Sequence, residues 1–134
     1  MSKVKRLNHE SIQNGWTLDP TYNEMFVSDS IRFTLPEYYP FQPPVLLIDN
    51  TPHVQYLKRL YTRRKKIIDR HKYFIPCICC STILCSWSPC NTCIQVYQEY
   101  TDYAKRLSYV DLLENMKQTN LDDLILERIS SFLL

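Results

Sequence analysis

The six cysteines of this 134-residue chain all lie in one stretch of eighteen residues, from Pro76 to Cys93. A thiolate can act as a nucleophile or as a ligand for a soft metal ion. A neutral thiol can instead pack in a protein interior as a small apolar group. The stretch therefore allows three interpretations: a reactive thiol, a metal site, or a short segment of the core.

Two closely spaced pairs of cysteines could supply a metal site. Cys90 and Cys93 have the C-x-x-C spacing, and Cys80 and Cys85 lie just upstream, with Cys77 and Cys80 as an alternative pair. Structural zinc is held by four thiolate or imidazole ligands in a tetrahedron. One hypothesis is therefore a structural zinc ion bound by Cys80, Cys85, Cys90 and Cys93. The alternative is that Cys93, on an apolar helix stripe, belongs to the core.

The elements that must position these thiols begin with a helix on their C-terminal side. Ser88-Pro89 has the composition of a helix start, with Ser as the N-cap and Pro at the first helical position. From Cys93 to Leu107, apolar residues recur at helical spacing. We therefore predict a helix over residues 88–107, a second one capped by Ser108, and a third over residues 120–133.

The first half of the chain predicts a short helix followed by strands. Residues 3–13 have a helical pattern that ends at Gly15, and Ile31 to Leu35 alternate apolar and polar as in a half-buried strand. Four prolines between residues 36 and 44 exclude regular structure there. The predicted class is α+β in a single domain, residues 1–134. It contains an antiparallel sheet of about four strands from residues 16–48, flanked by N-terminal, central and C-terminal helices.

A basic segment lies between the predicted sheet and the cysteines. Residues 53–72 have an apolar stripe at helical spacing and carry a net charge of +7. Residues 58–72 hold eight of the sixteen basic residues, so the remainder of the chain, with eight basic and thirteen acidic residues, has a net charge of −5. We expect a basic helical insertion that lies on the surface, outside the core, and docks an acidic protein partner. Because no aromatic stacking array accompanies the charge, nucleic acid is the less favoured ligand.

The sequence composition indicates the cellular compartment of the protein and whether it crosses a membrane. No apolar stretch approaches the roughly 18–20 residues that a membrane span requires, and the polar N-terminus is not typical of a signal peptide. Clustered cysteines without such a signal favour a reducing compartment over a disulfide scaffold. We therefore expect a protein of the cytoplasm or nucleus that does not enter the membrane.

Two segments resemble ubiquitin-conjugating enzymes. The run Tyr39-Pro40-Phe41-Gln42-Pro43-Pro44, which follows a predicted strand, is similar to the Tyr-Pro-Phe-x-Pro-Pro motif of that family. Cys79 stands eight residues before Trp87-Ser88-Pro89, the place that the family's catalytic cysteine occupies. The resemblance implies a UBC-like fold, with Cys79 accepting ubiquitin or a ubiquitin-like protein as a thioester and passing it to a lysine. It also implies an activating enzyme and a ligase as partners, with no required cofactor.

The resemblance covers less than half of the chain, and the chain departs from the family's pattern in several places, among them the absence of the Gly before the cysteine. The family's His-Pro-Asn motif has its nearest counterpart in Thr51-Pro52-His53, which lacks the Asn and lies 26 residues before Cys79. The chain is similar to short cysteine-rich relatives from large DNA viruses, which implies the host cytoplasm or the virion. The alternative function is a non-catalytic variant of this fold that binds ubiquitin or serves as a structural or assembly component, with zinc as its stabiliser.

Overall fold

The computed structural model describes residues 2–71 and 75–118. The predicted helix over residues 120–133 and the last basic residue of the 58–72 segment, Lys72, lie outside the described residues. Within them, the α+β class with an antiparallel sheet is confirmed.

The N-terminal helix, α1 (Lys3–Asn14), matches its prediction within one residue. The Ser2 hydroxyl accepts a hydrogen bond from the Lys5 N–H, which caps the first turn. Gly15 ends the helix with a φ of 67°, in the left-handed region that glycine adopts at low cost. Leu7 and Glu10 are the buried residues of α1, and they face the sheet and the start of the last helix.

The sheet has five antiparallel strands in sequence order: β1 (Thr17–Leu18), β2 (Glu24–Phe26), β3 (Ile31–Thr34), β4 (Val45–Ile48) and β5 (Thr51–Pro52). Phe33 in the middle of β3 pairs with Met25 on one side and Leu46 on the other, and all three are fully buried. Their shared face forms the centre of the core, as the period-2 pattern indicated. The additional strand β5 is two residues long and pairs through Thr51 and Pro52.

The proline loop between β3 and β4, residues 36–44, is held to the rest of the molecule by two side chains. Tyr39, which precedes a cis peptide bond to Pro40, is buried, and its hydroxyl donates a hydrogen bond to the Glu10 carboxylate. The Trp87 indole N–H donates to the Pro40 carbonyl oxygen over 2.8 Å. The loop therefore lies against α1 on one side and against the segment that follows the cysteines on the other.

In the part of the chain that the structure describes, four elements follow the sheet: α2 (His53–His71), the short helix α3 (Ile78–Ser81), a 3-10 turn (Ile83–Ser86) and α4 (Cys93–Gln118). The prediction that a helix begins at Ser88 is wrong. The Ser88 carbonyl accepts the Asn91 N–H over 3.0 Å, so Pro89 occupies a β-turn, a position that suits Pro as well as a helix start does. Thr92 precedes α4 instead, and its N–H donates to the Gln95 side chain over 3.1 Å, as in a capping box.

The predicted helix break at Ser108 is also wrong, because α4 continues through it to Gln118. The Ser108 hydroxyl donates to the Ala104 carbonyl, one turn earlier, over 3.1 Å. A serine that bonds to its own helix in this way does not act as a cap. The result is one continuous helix of 26 residues.

Among the described residues, two clusters of buried side chains form the core, one under the sheet and one between α2 and α4. The first consists of Leu7, Met25, Phe33, Leu35, Tyr39, Leu46, Ile48, Cys93 and Val96. The second consists of Leu57, Ile68, Ile75, Ile78, Tyr103, Leu107 and Val110. One face of the basic helix α2 therefore belongs to the core, whereas the sequence predicted only a surface helix. Over residues 2–71 and 75–118, no helix has the length and apolar character needed to span a membrane.

Candidate functional site: a turn of three thiols

Three cysteines meet on the single turn of helix α3, which we call the thiol turn (residues 77–81). Cys77 is the residue before the helix, and its carbonyl oxygen accepts hydrogen bonds from the Cys80 N–H and the Ser81 hydroxyl, both over 3.2 Å. The tight turn brings residues three apart onto the same side. Cys79 lies between them along the chain.

The sulfur atoms of these cysteines are in mutual reach. Cys77 Sγ lies 2.9 Å from Cys79 Sγ, and Cys79 Sγ lies 3.8 Å from Cys80 Sγ. All three sulfurs are within 4.8 Å of one another, and Cys80 is exposed while the other two are partly exposed. Among the residues that the structure describes, this is the one group of three or more His, Cys, Asp or Glu side chains that could ligate a common metal ion.

The thiol turn is anchored from beneath. Ile78, the residue between Cys77 and Cys79, is 2% exposed and packs in the core cluster between α2 and α4. The residue before the turn, Pro76, has its carbonyl oxygen bonded by the Tyr103 hydroxyl of α4 over 2.7 Å. The apolar side chain between the cysteines thus points inward, which leaves the thiols on the outer side of the turn.

A carboxylate of α4 anchors the other end of the turn. One Glu99 oxygen accepts the Ile83 N–H over 2.8 Å, and the other accepts the Thr82 hydroxyl over 3.0 Å. The same oxygen lies 3.0 Å from Nε2 of His53, which is 1% exposed at the start of α2. Partial burial by itself raises the pKa of Glu99, but the hydrogen bonds from His53, Ile83 and Thr82 outweigh it, so the pKa is lowered. An ionised Glu99 therefore joins α2, α4 and the segment after the thiol turn.

The hydrogen bond between the first two thiols separates their acidities. It lowers the pKa of Cys77, an effect that the nearby Lys58 reinforces. The same bond, together with that to Cys80, raises the pKa of Cys79 to about 11. Since a thiol that donates to a neighbouring sulfur stabilises the thiolate of that neighbour, Cys77 is the first of the two to ionise.

The four cysteines of the predicted zinc set, Cys80, Cys85, Cys90 and Cys93, lie in different environments. Cys93 is fully buried in the sheet core, where its thiol donates to the Tyr39 hydroxyl over 3.4 Å, and burial raises the pKa of its thiol. Cys85, in the 3-10 turn, and Cys90, in the turn before α4, are exposed. Within residues 2–71 and 75–118, only Cys80 of this set belongs to a potential metal-ligating group, and its neighbours there are Cys77 and Cys79.

Sequence reasoning did not single out three residues that shape the site. The sequence pattern suggested Cys77 only as an alternative partner of Cys80. The C-x-C-C spacing of residues 77–80 nevertheless places its thiol near those of Cys79 and Cys80. Glu99 and Tyr103 lie one helical turn apart on α4 and both bind the segment that carries the cysteines. Their spacing of four residues was the available signal that they share a face.

Comparisons of this chain with protein-family models, with curated proteins and with solved structures found no match. The residues and geometry described above are therefore the basis of the functional assignment.

Proposed function

We propose that the protein is a UBC-like domain that accepts ubiquitin or a ubiquitin-like protein as a thioester on Cys79 and passes it to a lysine. The observation that carries the proposal is the anchoring of a partly exposed thiol turn at both ends by α4, through Tyr103 and Glu99. An acceptor thiol must be accessible to a large incoming protein, yet fixed in place. The thiol turn meets both requirements.

The two motifs that carry the resemblance also lie together. The Trp87 indole N–H donates to the Pro40 carbonyl oxygen, which joins the segment after the cysteines to the proline loop. The aromatic rings of Trp87 and Tyr39 lie 6.3 Å apart between centroids. Segments that are 47 residues apart in sequence are thus in direct contact, which supports the interpretation of both as parts of one site.

The transfer that we propose has two steps, one onto Cys79 and one from Cys79 to a lysine. The Cys79 sulfur attacks the carbonyl carbon of the incoming thioester, a new S–C bond forms, and the thiol of the activating enzyme leaves. Cys77, whose sulfur lies 2.9 Å away, is placed as its thiolate to take the proton from Cys79 during the attack and to pass it to the departing sulfur, which leaves as the thiol. A substrate lysine amine then attacks the Cys79 thioester, which forms an amide and returns the thiol.

The proposal is tested by incubating the full chain with activating enzyme, ATP and ubiquitin, followed by non-reducing electrophoresis. We expect an adduct that a thiol reductant removes. Cys79→Ser should abolish the adduct or convert it into a reductant-resistant ester, whereas Cys77→Ser should slow its formation. The matched control is Cys85→Ser, because Cys85 is another exposed thiol outside the turn. No adduct with ubiquitin or any ubiquitin-like protein tried, or an adduct that persists unchanged without Cys79, would overturn the proposal.

The proposal includes an acidic protein partner on α2. Exposed basic residues recur along one side of this helix, and we name this surface the basic face: Lys58, Arg59, Arg63 and Lys66. The same helix contributes Leu57 and His53 to contacts with the rest of the molecule, so the face is displayed on a supported element. An acidic surface of the activating enzyme, of a ligase or of the modifier would be attracted to it.

A second candidate function is a non-catalytic variant of the same fold that binds ubiquitin or serves as a structural or assembly component, with zinc as a stabiliser. The observation that favours it is the cluster of Cys77, Cys79 and Cys80, whose sulfurs lie within 4.8 Å of one another and could hold a metal ion. The two candidates are separated by a variant in which Cys77, Cys79 and Cys80 are all serine. Retained binding of ubiquitin by this variant, together with no adduct on the native chain, would favour the second candidate.

A further inference from the structure

We infer that Cys77, Cys79 and Cys80 together bind one thiophilic cation, Zn²⁺ in the first instance, through three thiolates and an open fourth position. This site differs from the four-cysteine set that the sequence suggested, and it does not depend on the proposed acyl transfer. Three observations carry it: the separations of the sulfurs, the anchoring of the turn, and the outward direction of the thiols.

The separations of the sulfurs are close to those of a tetrahedral thiolate site. Zinc–sulfur bonds of about 2.3 Å at tetrahedral angles place two sulfurs about 3.8 Å apart. Cys79 and Cys80 already have this separation, 3.8 Å. Cys77 and Cys79 are 2.9 Å apart and would need to separate by roughly 0.9 Å to reach the tetrahedral value of about 3.8 Å. A small rotation of partly exposed side chains provides such a change without moving the backbone.

The anchoring of the turn reduces the conformational entropy that is lost when a metal ion binds. The turn is held at Pro76 by Tyr103, at Ile78 by the core between α2 and α4, and at Thr82 by Glu99. The backbone that carries the three sulfurs is thus held on both sides, which reduces the freedom that binding has to remove. A preorganised set of ligands binds a cation more tightly than the same cysteines on a mobile chain.

The chemistry of the ligands selects the kind of metal. Three thiolates favour soft or borderline ions such as Zn²⁺ and Cu⁺ over Mg²⁺ and Ca²⁺, which prefer oxygen ligands. A zinc ion with three protein ligands keeps one position for water or an exogenous ligand, and the partial exposure of the turn gives that ligand access. The 3.8 Å separation of Cys79 and Cys80 is compatible with a tetrahedral zinc site, and Zn²⁺ is therefore the ion that the experiment uses.

Metal binding and thioester formation would compete for the same sulfur. A Cys79 thiolate that is bonded to zinc is not free to attack a carbonyl carbon. If the proposed function holds, the occupancy of this site sets the fraction of the protein that can accept ubiquitin. This consequence rests on the proposed function, whereas the metal site itself does not.

The experiment uses the purified full chain, reduced and freed of metal, and no activating enzyme, so that failure of acyl transfer cannot affect it. Co²⁺ is titrated first, because thiolate-to-cobalt charge-transfer absorption reports sulfur ligation, and Zn²⁺ is then added to displace it. We expect one equivalent of metal per chain. Cys77→Ser, Cys79→Ser and Cys80→Ser should each weaken binding at least tenfold.

Two controls keep the test specific. Cys85→Ser and Cys90→Ser change exposed thiols outside the turn and should leave the affinity unchanged. Circular dichroism of each variant separates loss of a ligand from loss of fold. The inference would be overturned by the absence of thiolate-to-cobalt absorption, by a failure of Zn²⁺ to displace Co²⁺, or by binding that needs Cys85 or Cys90 instead of the turn.

Discussion

At the scale of single residues, Glu10 connects more of the fold than any cysteine does. It is 2% exposed, and its carboxylate accepts the Cys93 N–H over 2.8 Å and the hydroxyl of Tyr39. The first of these bonds caps α4, where a negative charge is favourable because the helix start carries unpaired N–H groups. Arg6, one turn earlier, donates to the carbonyl oxygens of Pro89 and Asn91 over 2.9 and 2.6 Å. Helix α1 thus fixes both the proline loop and the start of α4.

We expect Glu10→Ala to destabilise the protein by about 3 kcal/mol, because it leaves two buried donors without an acceptor. The free energy of unfolding is measured by urea denaturation. Glu37→Ala is the matched control, since Glu37 is an exposed glutamate of the proline loop and should change stability by no more than about 0.5 kcal/mol. Equal effects of the two substitutions would contradict the role assigned to Glu10.

At the scale of elements, α4 organises the molecule. Its first turns carry Cys93 and Val96 into the sheet core, and Leu107 and Val110 pack against α2. Between these two regions, Glu99 and Tyr103 hold the segment that bears the thiols. The long uninterrupted helix therefore fixes the distance between the sheet and the thiol turn.

The pH dependence of Glu99→Gln tests this connection. Because the pKa of Glu99 is lower in the folded protein than in the unfolded chain, its contribution to stability is full above the unfolded pKa, about 4.3, and is lost as the pH falls through the folded value. We expect the variant to be less stable by about 1–2 kcal/mol at pH 6–7, where the ionised carboxylate makes charge-assisted hydrogen bonds. The difference should shrink at pH 3, as measured by urea denaturation at each pH. A difference that is the same at both values would show that the charge of Glu99 contributes nothing.

At the scale of the whole molecule, α4 joins the two parts of the core, because it packs against the sheet at its start and against α2 further along. The basic helix α2 is part of this assembly, since the Arg64 guanidinium binds both carboxylate oxygens of Asp111 on α4 over 2.9 and 2.7 Å. Arg64 also donates to the Leu60 carbonyl within its own helix. Within the run of four basic residues from Arg63 to Lys66, Arg64 therefore has a structural role, whereas Arg63 and Lys66 are exposed.

Charge-reversal substitutions distinguish the structural role of Arg64 from the partner-binding role proposed for the basic face. We expect the double substitution Arg63→Glu with Lys66→Glu to leave the free energy of unfolding within about 0.5 kcal/mol and to weaken binding of an acidic partner in a salt-sensitive way. Arg64→Glu should destabilise by about 1 kcal/mol, a modest value because Asp111 is partly exposed to solvent. Denaturation and binding at two salt concentrations measure both effects. Unfolding of the double variant would assign the basic face to the core.

Much of the fold could be predicted from local patterns in the sequence. The alternation through Phe33 marked the central strand, the helical spacing from Cys93 to Leu107 marked α4, and Gly15 marked the end of α1. These patterns depend on which neighbours along the chain share a face, and that is a local property of strands and helices. The boundary at Ser88-Pro89 was predicted wrongly because Pro fits a β-turn and a helix start equally well.

Only the tertiary structure decided which thiols meet and what holds them. Clustering in the sequence placed the six cysteines near one another, but burial separated Cys93 from the rest, and the turn at Ile78 gathered Cys77, Cys79 and Cys80. The contacts of Glu99 with His53 and of Tyr103 with Pro76 join residues 46 and 27 positions apart. Such contacts depend on how the helices pack against each other, and no local pattern of residue types encodes that packing.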